Sequence, residues 1–299
     1  MIVFDAEFRQ ALRSGAVAAA AAIVAALAVA ALALALPVSF ATYFLILLAL
    51  AALGFAAWSI YYTYALRHTS YAVDRNAFVI RWGAVREIVP MGEVQRVLPA
   101  TEIASALRFR RVPLPGWWSG MASHPELGRI RLYATAPPDR QVVIVTPEMS
   151  YAVSPPDVAE FVQAFDVRFR MGPTQAVRHA RLAPAAFNLA LWREPVALLL
   201  LLLPVLLNLV MFGLAFARYP ALTDPIVLHF NTAGLPDRFG QPALAFSPAV
   251  IALGLLALDM FLGALVYRLD KLAAYLLWGG GAGVQLLFLV ATITISFNA

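Results

Sequence analysis

A histidine and an aspartate close together in one polar segment are the first pair in this chain that could do chemistry. They are His229 and Asp237, and Asn231 lies between them. A carboxylate beside an imidazole can form a proton-sensitive pair or half of a metal site. Two such ligands do not complete a zinc site, and hydrogen bonds that stabilise a turn explain the same residues. We favour the structural interpretation and predict neither a bound metal nor a cofactor.

Asp259 is a single acid near the middle of a long apolar stretch. A lone carboxylate at the centre of a membrane is costly, and it is usually partnered or functional. Counting from the ends of the neighbouring apolar stretches places Asn208 and Gln285 at a similar depth. We therefore predict a polar layer of these three side chains that holds the C-terminal helices together. A proton or cation relay is the alternative, although a relay favours several acids in series.

Two clusters in the middle of the chain are also candidates. Arg108 and Arg110 would lie on one face of a strand, where they form either an anion site or, as we favour, a solvated face near an anionic leaflet. Trp117 and Trp118 lie in a segment rich in proline and glycine. We expect them to pack against their own domain, with a tip that binds a partner or dips into the membrane as the alternative.

Motifs of the common enzyme classes are absent from the sequence. There is no Walker loop, no H-E-x-x-H and no G-x-S-x-G, and paired membrane carboxylates for acid-base work are missing. The chain contains no cysteine, which excludes disulfides, thiolate chemistry and cysteine-bound metals. We therefore predict that the protein is not an enzyme.

The composition identifies the elements that must position these residues. Hydrophobic residues make up 62% of the 299 residues and charged residues only 13%, against roughly 45–50% and about 25% in soluble domains. The apolar residues are concentrated in stretches that are long enough to cross a membrane. We predict five transmembrane helices, at residues 15–36, 41–65, 195–217, 246–267 and 272–297.

The basic residues indicate the orientation of these spans. With the N-terminus inside, only Arg218 and Arg238 of the 22 basic residues fall outside, a strong positive-inside signal. We therefore place the N-terminus and residues 67–194 in the cytoplasm and the C-terminus on the other side of the membrane. The net charge of +5 is then a marker of topology, and we predict no nucleic-acid partner.

Residues 67–172 change to short strand-like segments separated by turns. A helix follows, for which Ser154 and Asp157 suggest a capping box with Ser154 as the N-cap. This order predicts a PH-type barrel closed by a helix. The predicted strands are Ser70–Val73, Ala77–Trp82, Val85–Val89, Leu107–Val112, Arg129–Ala134, Gln141–Thr146 and Tyr151–Val153.

A basic segment, residues 173–194, connects this region to the third span. It contains Arg178 and Arg181 and has no acid before Glu194. Helical spacing would make it an amphipathic helix on the inner leaflet. A basic linker that serves topology alone is an equal alternative.

A set of residues in the β-rich region matches a known family pattern. These residues are Ser70-Tyr71, Gly83, Pro90, Pro115-Gly116, Gly120, Leu132–Thr135, Val143–Thr146, Tyr151–Asp157 and Phe161. In them the region resembles the bacterial PH domain family of membrane proteins, and the resemblance implies a PH-like fold and no settled ligand. A phosphoinositide site would need clustered cations in the first loop between strands, and Asp74-Arg75-Asn76 offers one base and one acid.

The segment around His229 resembles an uncharacterised domain family that also occurs in SdpI-type immunity proteins of membranes. Its motif is His-Phe-Asn-x-x-Gly-x-Pro-Asp, which here runs from His229 to Asp237, and the likeness covers roughly 195–268 with the flanking helices. Val227 replaces the usual proline, and Gln241-Pro242 replaces the usual lysine. A role inherited through that cation is therefore not expected here.

The sequence as a whole predicts a multi-pass α-helical membrane protein with five transmembrane helices and an inserted cytoplasmic PH-like β-barrel capped by a helix. The favoured function is non-enzymatic scaffolding through protein partners of the PH-like domain, with the bilayer and non-specifically bound anionic lipids as further partners. The alternatives are an immunity, sensor or transport-like protein that uses the outer loop and Asp259, or an accessory subunit of a larger complex. The predicted domains are 1–66, a transmembrane hairpin; 67–172, PH-like; 173–194, connector; and 195–299, a three-helix unit with outer loop 218–246.

Overall fold

The computed structural model describes residues 1–6, 9–99, 101, 107–109, 116–184, 191 and 194–297. The chain divides into two compact units. The first comprises Met1–Val24 and Ala52–Asn188, and the second comprises Ala25–Ala51 and Leu189–Ala299.

Five helices among the described residues are long and apolar enough to cross a membrane, which confirms the five predicted spans. Between the first two, the chain breaks at Pro37, whose carbonyl accepts a hydrogen bond of 2.6 Å from Thr42 Oγ1. The sixth helix, α3, is amphipathic. The helices are α1 (Arg9–Ala35), α2 (Phe40–Arg67), α3 (Val158–Met171), α4 (Pro195–Arg218), α5 (Ser247–Val266) and α6 (Lys271–Phe297).

The β-rich part of the first unit contains two sheets. One has the strand order β1-β2-β3-β4-β11 and the other β5-β9-β10-β8-β7-β6. All neighbours are antiparallel except β8 and β10. The strands are β1 (Ile2–Asp5), β2 (Ser70–Val73), β3 (Ala77–Trp82), β4 (Val85–Pro90), β5 (Arg96–Pro99), β6 (Arg108–Phe109), β7 (Trp118–His124), β8 (Gly128–Ala134), β9 (Val142–Val145), β10 (Ser150–Val153) and β11 (Ala180–Leu182).

The predicted closure of these strands into one barrel is not seen among the described residues, where no strand joins the two sheets. The reason lies at the edges of the first sheet. Strand β1 pairs with β2 and strand β11 pairs with β4, so both edges are occupied by segments from outside residues 67–172. At Ala180–Leu182, moreover, the connector is a strand, so the amphipathic helix, one of the two alternatives for this segment, is not found there.

Helix α3 packs its apolar face into the larger hydrophobic core of this unit. Phe161 and Phe165 are buried there beside Phe78, and Phe4 of β1 meets Phe161 edge to face at 5.2 Å between ring centroids. Burying each such aromatic ring contributes roughly 1.5–3 kcal/mol to the stability of the folded state. Contacts in this core therefore hold helix α3 and strand β1 against the sheet that contains β3.

The start of α3 differs from the prediction. Asp157, not Ser154, is the N-cap, and its Oδ1 accepts a hydrogen bond of 2.9 Å from the Glu160 backbone N–H. Ser154 Oγ instead accepts one of 2.8 Å from the Thr135 N–H. The serine is buried and ties the end of β10 to the loop after β8, which a local capping pattern does not reveal.

In the second unit, helices α4, α5 and α6 pack together, and α4 and α5 are joined by a hairpin of β12 (Ile226–Phe230) and β13 (Pro236–Gly240). Trp278 of α6 is buried against Gly263 of α5, where a Cβ atom would collide with the indole ring. Small residues thus allow the helices to approach closely, as is typical of membrane interfaces.

Candidate functional site

The hairpin between α4 and α5 is an ordered turn built by Asn231. Its Oδ1 accepts hydrogen bonds from the Ala233 N–H at 2.9 Å and the Leu235 N–H at 3.0 Å. Gly234 has a φ of 76°, a conformation that favours glycine. The conformation of the motif therefore comes from its own side chains and backbone.

His229 and Asp237 meet across this hairpin. The Nδ1–Oδ1 distance is 2.6 Å, and the two side chains are 63% and 42% exposed. No group of three His, Asp or Glu side chains that could hold a metal ion occurs among the described residues. An exposed pair contributes little to stability, so it is a solvent-accessible hydrogen bond across the hairpin.

Asn208 and Gln285 are buried and joined in the second unit. Asn208 Nδ2 donates to Gln285 Oε1 at 3.1 Å and to the Ala249 carbonyl at 3.2 Å, and Gln285 Nε2 donates to the Ala252 carbonyl at 2.8 Å. These bonds connect α4, α5 and α6 through two side chains. Asp259, the third residue predicted in this layer, makes no hydrogen bond to either amide among the bonds of the described residues.

Asp259 instead lines a groove of about 630 Å³ between α5 and α6, in which Gln285 is the other polar side chain. Its Oδ2 is shielded from solvent and has no hydrogen-bond partner among the described residues. Gly281 on α6 leaves the room for this carboxylate, because a Cβ atom there would collide with it. Asp259 thus makes no hydrogen bond to the two amides of the predicted layer, although it shares the groove with Gln285.

The clusters predicted in the β-rich region have different outcomes. Arg108 lies in β6 opposite Ser123, whereas Arg110 lies outside the described residues. Trp117 is only 3% exposed; it stacks on Tyr62 at 4.5 Å between ring centroids and donates from Nε1 to the Ala11 carbonyl at 3.3 Å. It therefore packs within its own unit and does not form an exposed tip.

Trp118 begins strand β7, where it pairs with Ala134 of β8 and is half-buried. The two tryptophans of the predicted loop thus have different environments. Neither stands at the tip of an exposed loop.

A cluster that the sequence analysis missed surrounds Glu87, a carboxylate only 2% exposed. It lies on the inner face of β4, the same face as the buried Val85 and Val89. This alternation could have revealed the cluster from the sequence, because a charged residue at an inward position of a strand needs partners. The partners are Tyr133 OH at 2.9 Å, Tyr151 OH at 3.2 Å, Arg131 Nη1 at 3.3 Å, His179 Nε2 at 3.6 Å and Arg181 Nε at 3.6 Å.

The two tyrosines of this cluster remain hydrogen-bond donors. Burial, and next the charge of Glu87, raises the pKa of Tyr133 to about 12. Burial and Glu87 also raise the pKa of Tyr151 above its ordinary value. Both hydroxyls therefore keep their protons, and that of Tyr133 donates to the carboxylate. The Tyr151 hydroxyl lies 3.2 Å from Glu87 and 2.9 Å from His179 Nε2, so it bridges the two side chains, which suits a structural junction.

A second groove, of about 230 Å³, lies between β5 and α3. Phe165 is buried in it, Val97 and Val162 are half-buried, and Arg96 and Asp166 lie at its exposed positions. Strand β5 is an edge of its sheet among the described strands. An apolar groove beside an edge strand can accept an extended peptide.

Comparison with known proteins agrees with the two resemblances noted in the sequence. Residues 69–169 match the model of the bacterial PH domain family. Residues 206–253 match a domain of unknown function, DUF1648, which is found in SdpI-type proteins. No curated protein and no solved structure matches the chain. The chain is thus a membrane protein by its five long apolar helices, and its residues 69–169 are similar to a bacterial PH domain.

Proposed function

We propose that this protein is a non-enzymatic scaffold of the bacterial inner membrane that presents its PH domain to a cytoplasmic protein partner. The observation that carries the proposal is the edge strand β5 beside the groove against α3. Such an edge offers main-chain hydrogen bonds to an added strand, and the groove offers contacts to its side chains.

The direction of the hydrogen bonds supports strand addition. The Gln95 N–H donates to the Val145 carbonyl at 2.9 Å, and β5 pairs with β9 through the residues that follow. In an antiparallel pair, alternate residues bond to the same neighbour. Pro99, which has no N–H, is paired with Val142, so Arg96 and Leu98 are the residues of β5 that bond to β9. Val97 therefore directs its N–H and C=O groups away from β9, where no described strand pairs with it.

The side chains of the groove define the partner. Val97, Val162 and Phe165 favour an apolar side chain, and Arg96 and Asp166 at the exposed positions favour neighbours of opposite charge. An extended segment that alternates apolar and charged residues fits both requirements. We propose that one such segment of a cytoplasmic protein is the ligand.

The location of the domain follows from charge. Helix α2 ends at Arg67, and its other residues are uncharged. The positive-inside rule therefore supports a cytoplasmic PH domain, with α1 and α2 as its anchor and the C-terminus outside.

Photo-cross-linking in cells tests the proposal. A photoreactive residue replaces Phe169, which lines the groove and is 44% exposed, in the full-length protein. A second change, Val97→Pro, removes the outward N–H while leaving the ladder to β9 intact. The matched control, Val97→Ala, shortens the side chain and keeps the N–H. We expect one discrete protein adduct that persists in Val97→Ala and disappears in Val97→Pro.

The proposal fails if the adduct is equally abundant in both variants, or if no discrete adduct forms. Circular dichroism and the thermal midpoint of each purified variant check that the proline has not unfolded the domain. A photoreactive residue at the exposed Arg129 on β8 gives the background for a surface position outside the groove.

A further inference from the structure

A pocket of about 460 Å³ lies where the end of α2 meets the first sheet. Its charged side chains are mainly cationic, with three guanidinium groups against one carboxylate. No part of the proposed protein interaction uses this pocket. The ionisable residues that line it are Arg67, His68, Arg81, Arg86 and Asp5.

Arg81 and Arg86 are directly opposite each other on β3 and β4. Their neighbours Ile80 and Glu87 are also opposite each other, and both are buried. Because side chains alternate between the faces of a sheet, the two arginines share the outer face. Like charges in this arrangement are destabilising, so the pair needs an explanation.

The described residues provide no counter-ion that forms an ion pair with these cations. None of Arg67, Arg81 and Arg86 takes part in a salt bridge within the described chain. Asp5, the only acid of the pocket, lies opposite Ser70, which in turn lies opposite Arg81. An anion between the guanidinium groups would remove the repulsion that the fold leaves in place.

The packing of the β3–β4 turn places this pocket at the membrane surface. Gly83 in the turn has a φ of 55°, and a Cβ atom there would lie 2.8 Å from Ala65 Cβ, so the turn lies directly against the last turns of α2. Helix α2 has 28 residues and spans about 42 Å, more than the roughly 30 Å of the hydrocarbon core. Arg67 at its end therefore lies at the level of the lipid headgroups.

We infer that Arg67, Arg81 and Arg86 bind the phosphate of an anionic phospholipid headgroup in the adjacent leaflet. Guanidinium groups bind phosphate through paired, charge-assisted hydrogen bonds. The volume lies within the range of roughly 300–1,000 Å³ that is usual for small-ligand sites. A lipid is favoured over free phosphate because the span itself holds the pocket at the headgroup level.

Lipid binding to the full-length protein tests this inference. The protein is purified in detergent, phosphatidylglycerol or phosphatidylcholine is added, and bound lipid is measured by native mass spectrometry. The variant Arg81→Gln/Arg86→Gln removes the opposed pair. The matched control Arg129→Gln/Arg178→Gln removes two exposed arginines that do not line the pocket. Inorganic phosphate, added without lipid, separates a free anion from a headgroup.

We expect the wild-type protein and the control to prefer phosphatidylglycerol, and the Arg81→Gln/Arg86→Gln variant to lose about tenfold or more in affinity for it. Phosphatidylglycerol should also raise the thermal midpoint of the wild-type protein and not that of this variant. Equal lipid affinity in the two double variants, no preference in the wild type, or equal stabilisation by inorganic phosphate would each overturn the inference.

Discussion

Two shielded carboxylates, one in each unit, differ in how many partners they have. Glu87 in the PH domain has five polar side chains within 3.6 Å. Asp259 in the three-helix unit has an Oδ2 with no hydrogen-bond partner among the described residues. A charge removed from water is tolerated when hydrogen bonds and opposite charges compensate it. The number of partners, and not burial alone, therefore identifies Glu87 as the acid that stabilises the fold.

The partners of Glu87 come from distant parts of the sequence. Arg131 and Tyr133 lie on β8, Tyr151 on β10, and His179 and Arg181 at β11. His179 Nδ1 also bonds to Glu93 Oε2 at 2.9 Å. The cluster thus connects the two sheets and fixes β11, which is the start of the segment leading to α4.

The largest effect that we predict is the loss of this junction. In Glu87→Ala, two arginines and two tyrosines lose their buried acceptor, and we expect the free energy of unfolding of the PH domain to fall by about 3–5 kcal/mol. Chemical unfolding of the full-length protein, followed by tryptophan fluorescence, measures it. Glu126→Ala, at an exposed glutamate, is the control. Equal stability of the two variants would contradict a structural role for Glu87.

The opposite sign is expected at Asp259. Replacing it with leucine removes a carboxylate that no described residue compensates, and the free energy of unfolding in detergent should rise by about 2 kcal/mol. Thermal unfolding of the purified protein measures the change. A less stable Asp259→Leu protein would show that a partner holds the acid. A stabilised protein with unchanged activity would exclude the relay.

The pair of amides, Asn208 and Gln285, contrasts with Asp259 because its polar groups have partners. Asn208 and Gln285 satisfy each other and two backbone carbonyls of α5. We expect a coupling energy of about 0.6 kcal/mol from a double-mutant cycle of Asn208→Leu and Gln285→Leu, since hydrogen bonds between membrane helices have this average value. Strictly additive effects of the two changes would disprove the coupling.

The comparison also explains what the sequence could reveal. The five spans were predicted because the absence of charge over such lengths is a local property. Strands β1 and β11 were missed because their partners, β2 and β4, are distant in sequence and neither strand has a long alternating pattern. Ser154 looked like a helix cap because its bond to Thr135 is a tertiary contact.

The same distinction applies to the candidate site residues. The motif of the hairpin predicted that His229 and Asp237 would be neighbours, because a short turn brings them together. Equal depth in the membrane suggested one layer of Asn208, Asp259 and Gln285, but depth does not define which face of a helix a residue occupies. Asn208 and Gln285 bond to each other, whereas Asp259 bonds to neither of them and lines the groove between α5 and α6 beside Gln285.

A third carboxylate, Glu194, sharpens the comparison because it is only partly buried and yet well partnered. It accepts hydrogen bonds from Lys271 and Tyr275, which are close to it at the start of α6. The hydrogen bond from Lys271, followed by that from Tyr275, lowers the pKa of Glu194 from 4.5 to about 2. Partners thus favour the charged form even where burial contributes little.

The smallest effect that we predict is the pH dependence of this contact. Because the pKa of Glu194 is lower in the folded state, the unfolded chain binds more protons, and stability must rise with pH in this window. The contribution is complete above about 4.5 and is lost as the pH falls toward about 2. Thermal midpoints of the wild type and Glu194→Gln should therefore differ at neutral pH and converge as the pH falls. A difference that stays constant with pH would assign the effect to shape and not to charge.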